Sequence, residues 1–161
     1  MKTNPIILVM LGVLLAPGPS HGAFAGEVAI IVNKENPSEG VSFRELVKIF
    51  RQEKQFWESG KKVYLLMRET GAPEKAVVLR KLYTMKDDEE LKKFWLEKVF
   101  RNEIASFPKT LSSDEAIKRF VRQVPNAIGF IDAASVDDRV KALRIDGKLP
   151  GEAGYALTDS F

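Results

Sequence analysis

The residues best suited to chemistry lie in one short stretch, Arg68-Glu69-Thr70-Gly71, which ends an apolar, strand-like run. A helix is predicted to begin at Pro73, so its free N–H groups point at whatever lies beyond the strand. Those groups and the helix dipole favour an anion, and Arg68 adds a fixed positive charge. Thr70 offers a hydroxyl donor, and Gly71 allows the backbone conformation that such a turn needs. The stretch therefore predicts an oxyanion site.

Arg68 and Thr70 also have structural interpretations that the sequence leaves open. Arg68 could pair with Glu69, Glu74 or Asp132, and its charge would then be neutralised within the fold. Thr70 could serve only to form the turn. The sequence does not decide between these roles.

Residues 1–25 predict a cleaved secretory signal. Lys2 precedes an apolar core over residues 6–16, and Ala23-Phe24-Ala25 has the small-x-small pattern of a cleavage site. A membrane anchor is the alternative, but the apolar core is too short to span a bilayer. We therefore expect residues 26–161 to form a single domain that is periplasmic or secreted.

The residue types exclude most catalytic machinery. The sequence has no cysteine, and its one histidine, His21, lies in the predicted signal. We therefore expect no thiol nucleophile, no histidine base, no metal site and no cofactor, and we predict that the protein is not an enzyme. Its 25 basic and 22 acidic residues are interleaved along the chain, so a nucleic-acid partner is not expected.

Strand-like and helix-like segments alternate along the chain. Buried strands are predicted at residues 27–33, 63–67 and 127–131, and a half-exposed strand at residues 140–145. Helices are predicted at residues 73–83, 87–100 and 114–122, and after the capping box that begins at Ser42. Residues 101–110 read as irregular. This order predicts an α/β three-layer sandwich with a mainly parallel sheet.

The predicted sheet gives the candidate site its place. In open α/β sheets, ligands bind beyond the carboxyl ends of the strands. We therefore expect Asn33, Arg68 and Asp132, which follow or end predicted strands, near one edge of the sheet. Asn33 is a candidate ligand-binding residue there, although asparagine at a strand end often only forms a turn.

Five segments, taken in order, carry a family resemblance. They are residues 28–33 with Asn36-Pro37, residues 42–50 (SFRELVKIF), residues 68–71 (RETG), residues 124–131 (VPNAIGFI) and residues 140–143 (VKAL). By these motifs the chain resembles the phosphate-binding proteins of ABC transporters, in the type 2 periplasmic solute-binding superfamily. That family similarly has a V-N-x-x-N-P opening, an R-x-x-G-S-G-T turn and a P-G-A-I-G-Y strand.

The resemblance implies one lobe of a fold whose full-length members clamp an anion between two lobes. It implies phosphate or a related oxyanion as ligand, with Arg68, Thr70, Gly71 and Asn33 as binding residues, and a link to ABC-type uptake or sensing. The chain departs from the motif after Gly71, where Ala72-Pro73-Glu74 stands in place of Ser-Gly-Thr. The hydroxyl donors are missing and a negative charge is added, so the site is expected to be degenerate.

A second hypothesis belongs to a different class. The protein could be a non-catalytic periplasmic interaction protein that keeps the fold and has lost its ligand. It would then dock on a transporter, a porin or a sensor domain. A homodimer across the face where a second lobe would sit is a further expectation.

Overall fold

The computed structural model describes residues 26–159, so the predicted signal at residues 1–25 lies outside the described residues. The strands in this range are β1 (Val28–Val32), β2 (Gly40–Val41), β3 (Tyr64–Arg68), β4 (Lys109–Leu111), β5 (Ala127–Asp132), β6 (Lys141–Ala142) and β7 (Arg144–Ile145). The α-helices are α1 (Phe43–Phe50), α2 (Pro73–Val78), α3 (Asp88–Phe100) and α4 (Asp114–Gln123). A π-helical turn, Leu79–Tyr83, continues α2.

The main sheet has five strands in the order β4-β3-β5-β1-β6, and β2 and β7 form a separate parallel pair. Strand β3 is parallel to β4 and β5, whereas β1 is antiparallel to β5 and β6. Strands β3, β4, β5 and β6 therefore run one way, and the predicted α/β sandwich with a mainly parallel sheet is confirmed. Only β1 of the main sheet runs against them.

The reversed direction of β1 corrects one expectation about the site. Val28 at the start of β1 lies opposite Asp132 at the end of β5, and Val32 lies opposite Ile128. The carboxyl end of β1 therefore lies at the opposite edge of the sheet from the carboxyl ends of β3 and β5. The prediction that Asn33 shares an edge with Arg68 is wrong.

The sheet is covered on both faces, which gives the three layers. Side chains alternate between faces along a strand, so Ile30 packs into one core and Ile31 into the other. The first core is covered by α1, α2 with its π-helical turn, and α3. The second is covered by α4, through Ile117 and Val121. Burial on both faces explains why β1 and β5 read as short apolar runs.

Helix starts agree closely with the sequence because polar side chains cap them. The Ser42, Asp87 and Ser113 side chains accept hydrogen bonds from the N–H groups three residues later, at 3.1, 3.0 and 3.1 Å.

Within residues 26–159, no helix has both the length and the apolar character needed to cross a membrane.

Two segments differ from the prediction. Residues 109 and 110 lie in the segment predicted to be irregular, but together with Leu111 they form β4, a three-residue strand too short to show a periodic pattern. The strand predicted at residues 140–145 divides at Leu143, whose N–H donates to the Ile30 carbonyl at 2.8 Å. As a result β6 extends the main sheet, and β7 pairs with β2.

Gly129 lies where α4 packs closely on the sheet, and this contact gives a stability prediction. A Cβ at this position would lie 2.7 Å from Cγ2 of the fully buried Ile117. Gly129→Ala is therefore expected to destabilise the fold by about 1–3 kcal/mol through overpacking, as measured by denaturant unfolding. Ile117→Ala should cost about 2–5 kcal/mol alone, and the double variant should cost less than the sum of the two. Strict additivity would contradict this contact.

Candidate functional site

Arg68 ends β3 and is only 8% exposed. Its Nη1 atom donates a hydrogen bond to Oδ1 of Asp114 and lies 3.7 Å from Oε2 of Glu74. Asp114 is the first residue of α4, and Glu74 lies in the first turn of α2. The guanidinium thus joins the end of a strand to the starts of two helices.

Strand β5 contributes to the same place through Asp132. The backbone N–H of Asp132 donates to Oδ2 of Asp114 at 3.3 Å, so the Asp114 carboxylate bridges β3 and β5. Asp132 itself is buried, and its Oδ1 accepts the N–H of Ala134 at 3.0 Å. The carboxyl ends of the two parallel strands are therefore tied together by the Asp114 carboxylate.

The electrostatics of this cluster favour cations over anions. One guanidinium faces the carboxylates of Glu74 and Asp114, and Asp132 lies close enough to act on Glu74. Burial raises the pKa of Glu74, which is 6% exposed; its own backbone N–H and Arg68 oppose that shift, and Asp114 and Asp132 add to it. With all groups ionised, the cluster carries more negative than positive charge.

The backbone donors at the start of α2 are also committed. Pro73 has no N–H, and the N–H groups of Ala72 and Lys75 donate to the carbonyls of Glu69 and Ala72 at 3.4 and 3.0 Å. The N–H of Glu74 faces its own carboxylate and lowers its pKa. The Glu74 carboxylate therefore stands where a bound anion would meet the helix.

Thr70 and Gly71 lie in the turn as predicted, and both are exposed. Gly71 has a φ of 90°, a conformation that side-chain-bearing residues rarely adopt, so the turn requires a glycine. Thr70 lines a hollow of about 260 Å³ together with Lys75 and Thr110. Arg68 is not among the described residues that line it, so Arg68 and Thr70 do not face a common cavity.

Asn33 is committed to the other edge of the sheet. Its side-chain amide donates to the carbonyls of Val121 and Arg122 at 3.0 and 2.9 Å, and its Oδ1 accepts the N–H of Glu35 at 2.9 Å. These bonds cap the last turn of α4, whose first residue contacts Arg68. The length of α4 separates the two positions by about 15 Å. The end of β3 and the turn after it therefore hold Arg68, Thr70 and Gly71, although Arg68 and Thr70 face no common cavity, and Asn33 lies at the opposite edge of the sheet.

Asp114 is the partner that sequence reasoning missed. It is the first residue of the helix predicted at residues 114–122 and is typical of a first helical turn, where a carboxylate complements the dipole. No local pattern indicates that this helix start meets the end of β3, 46 residues earlier.

Within residues 26–159, no group of three or more Asp, Glu, His or Cys residues is arranged to hold a metal ion.

Two buried atoms of the cluster have no hydrogen-bond partner in the described part of the chain, Arg68 Nε and Glu74 Oε2. Unsatisfied buried polar atoms of this kind each cost about 1–3 kcal/mol. The cluster is therefore held together by charge, with incomplete hydrogen bonding.

No protein-family model and no curated protein matches the sequence. Solved structures do match. An ABC-type phosphate transport receptor from Vibrio cholerae is 20% identical with a TM-score of 0.61, over 77% of this chain and 48% of that one. A substrate-binding protein with bound phosphate from Clostridium perfringens, described as a putative part of a phosphate ABC transporter, is 22% identical, with a TM-score of 0.59 over 75% and 45%. PstS from Borrelia burgdorferi is 17% identical, with a TM-score of 0.59 over 83% and 57%.

The chain spans about half the length of these structures. At this level of identity the likeness concerns the fold, and the resemblance indicated by the sequence motifs is confirmed at that level. The share covered is consistent with one lobe of a two-lobed protein. The chain therefore has the fold of phosphate ABC transporter substrate-binding proteins over about half of their length.

Proposed function

We propose that this chain is an exported, non-catalytic, solute-binding-like module whose oxyanion site is degenerate. In this proposal it belongs to an ABC-type uptake or sensing system for phosphate or a related oxyanion and does not carry the free anion alone. The observation that carries the proposal is the buried ion pairing of Arg68 with Asp114 and Glu74.

Charge balance supports a degenerate site over an intact one. A phosphate brought to Arg68 would meet Glu74 and Asp114 in a poorly hydrated place, where repulsion between like charges is strong. The backbone also offers little at the start of α2. Pro73 has no N–H, and the N–H groups of Glu74 and Lys75 already face acceptors within the protein. The exposed hydroxyl of Thr70 remains as a donor, but one hydroxyl does not offset the charge repulsion and the missing N–H donors.

Residual affinity for an oxyanion is tested by calorimetry and thermal unfolding with phosphate and sulfate. The unaltered protein should give no binding heat and no specific thermal shift at millimolar anion, compared with chloride at equal ionic strength. Tight binding would contradict a degenerate site. Glu74→Gln should give a phosphate-dependent thermal shift that the unaltered protein lacks, because one of the repelling charges is removed. Glu69→Gln, the same change at an exposed neighbour, is the control.

Glu74 also predicts a pH dependence of stability. Because its pKa is raised in the folded state above the ordinary value of 4.5, the folded protein binds the proton more tightly than the unfolded chain. The contribution of Glu74 to the free energy of unfolding is fully present below pH 4.5. It is lost as the pH rises through the raised pKa of the folded state. Glu74→Gln should remove this loss and raise the free energy of unfolding at neutral pH. Urea titrations across the range measure it, and an unchanged pH profile would contradict it.

The interaction-protein alternative rests on a different observation. Leu96 and Phe100, four residues apart on α3, are exposed large apolar side chains, and Phe100 is 85% exposed. Exposed apolar side chains grouped on one surface are typical of docking sites. If they hold a second copy of the chain, Phe100→Asp should convert a dimer to a monomer in sedimentation velocity. A monomer at every concentration for the unaltered protein would exclude the homodimer.

A further inference from the structure

A cleft of about 380 Å³ lies at the beginning of β3, whereas Arg68 ends this strand. It is bounded by β3, by the segment at residues 104–109 and by Phe120 of α4. Cavities that hold small molecules are about 300–1,000 Å³ in size, so this cleft is large enough for one.

The cleft exists because β4 starts late. Pairing between β3 and β4 begins at Leu66, which lies opposite Lys109. The preceding residue is Pro108, which has no N–H and cannot extend the ladder. In the described register, Tyr64 and Leu65 pair with β5 on one side and have no β4 partner on the other. The cleft occupies that gap.

Apolar and aromatic side chains form most of its wall. The aliphatic part consists of Val63, Leu65, Leu66, Ile104, Ala105 and Pro108. Three aromatic rings line the cleft, from Tyr64, Phe107 and Phe120. Tyr64 is 51% exposed and Phe107 is 43% exposed. Exposed rings beside an apolar wall favour a planar or ring-shaped apolar group, which can stack on them.

The charged groups of the cleft are all positive. Lys62 and Lys109 line it, and its lining within residues 26–159 includes no aspartate or glutamate. Neither lysine forms an ion pair with another described residue, and Nζ of Lys109 lies 5.8 Å from the centre of the Phe120 ring. The carboxylate of Glu103, next to the segment in sequence, is bound by Lys98 at 2.7 Å. The cleft therefore offers cations that a ligand could neutralise.

We propose that this cleft binds a small amphipathic anion. Such a ligand has a planar ring system that packs against Tyr64, Phe107 and Phe120. It also carries one carboxylate, sulfonate or phosphate-ester group that pairs with Lys62 and Lys109. The cleft and the oxyanion cluster at Arg68 lie at opposite ends of β3. A negative result for one site therefore does not contradict the proposal for the other.

The test uses 8-anilinonaphthalene-1-sulfonate, an aromatic anion whose fluorescence rises in apolar surroundings, and its uncharged analogue N-phenyl-1-naphthylamine. The purified protein should bind the sulfonate saturably at a single site. Lys62→Gln/Lys109→Gln should weaken sulfonate binding by about tenfold or more and change binding of the neutral dye by less than about twofold. Phe107→Ala should weaken binding of both dyes, because it removes stacking area.

A matched control lies outside the cleft. Lys34→Gln/Lys93→Gln removes two other exposed lysines. This control variant should bind the dyes as the unaltered protein does. The proposal is overturned if sulfonate binding is not saturable, if the two double lysine variants weaken it equally, or if Phe107→Ala leaves binding of both dyes unchanged.

Discussion

The antiparallel ladder between β1 and β5 is the constraint on which the rest of the structure depends. Five residue pairs join these strands, and both are buried on their two faces. The ladder fixes the direction of β1 against the other strands of the main sheet, and so decides which loops share an edge. It also places Gly129 under Ile117, where only a residue without a Cβ lets α4 approach so closely. That approach brings the first residue of α4 to Arg68.

The burial of Arg68 decides which groups surround its guanidinium. A guanidinium at the end of a buried strand must be neutralised, because an unpaired buried charge costs several kcal/mol. In a working anion site the ligand can supply the opposite charge. Here Asp114 and Glu74 supply it from within the chain, and the Glu74 carboxylate also takes up the helix N–H of its own residue. The charge of Arg68 is thus neutralised by side chains of the chain itself.

The two ends of β3 therefore have opposite characters. The end at Arg68 is buried, contains more carboxylates than cations and is bridged by side chains of α2 and α4. The beginning is open, aromatic and positively charged, because Pro108 delays the pairing of β4. In open α/β sheets a ligand is expected beyond the carboxyl end of a strand, which here is the closed end at Arg68. The accessible position is the other end of β3.

The sequence by itself determined the helices, the buried strands, the turn at Gly71 and the likeness in fold, because these depend on local periodicity, capping and backbone conformation. It also indicated that Ala72-Pro73-Glu74 lacks the expected donors. Only the tertiary structure decided that β1 runs against its neighbours, that Asn33 caps α4 far from Arg68, and that Asp114 pairs with Arg68. Strand direction and long-range charge pairing arise from contacts between distant segments, and a local pattern carries no record of them.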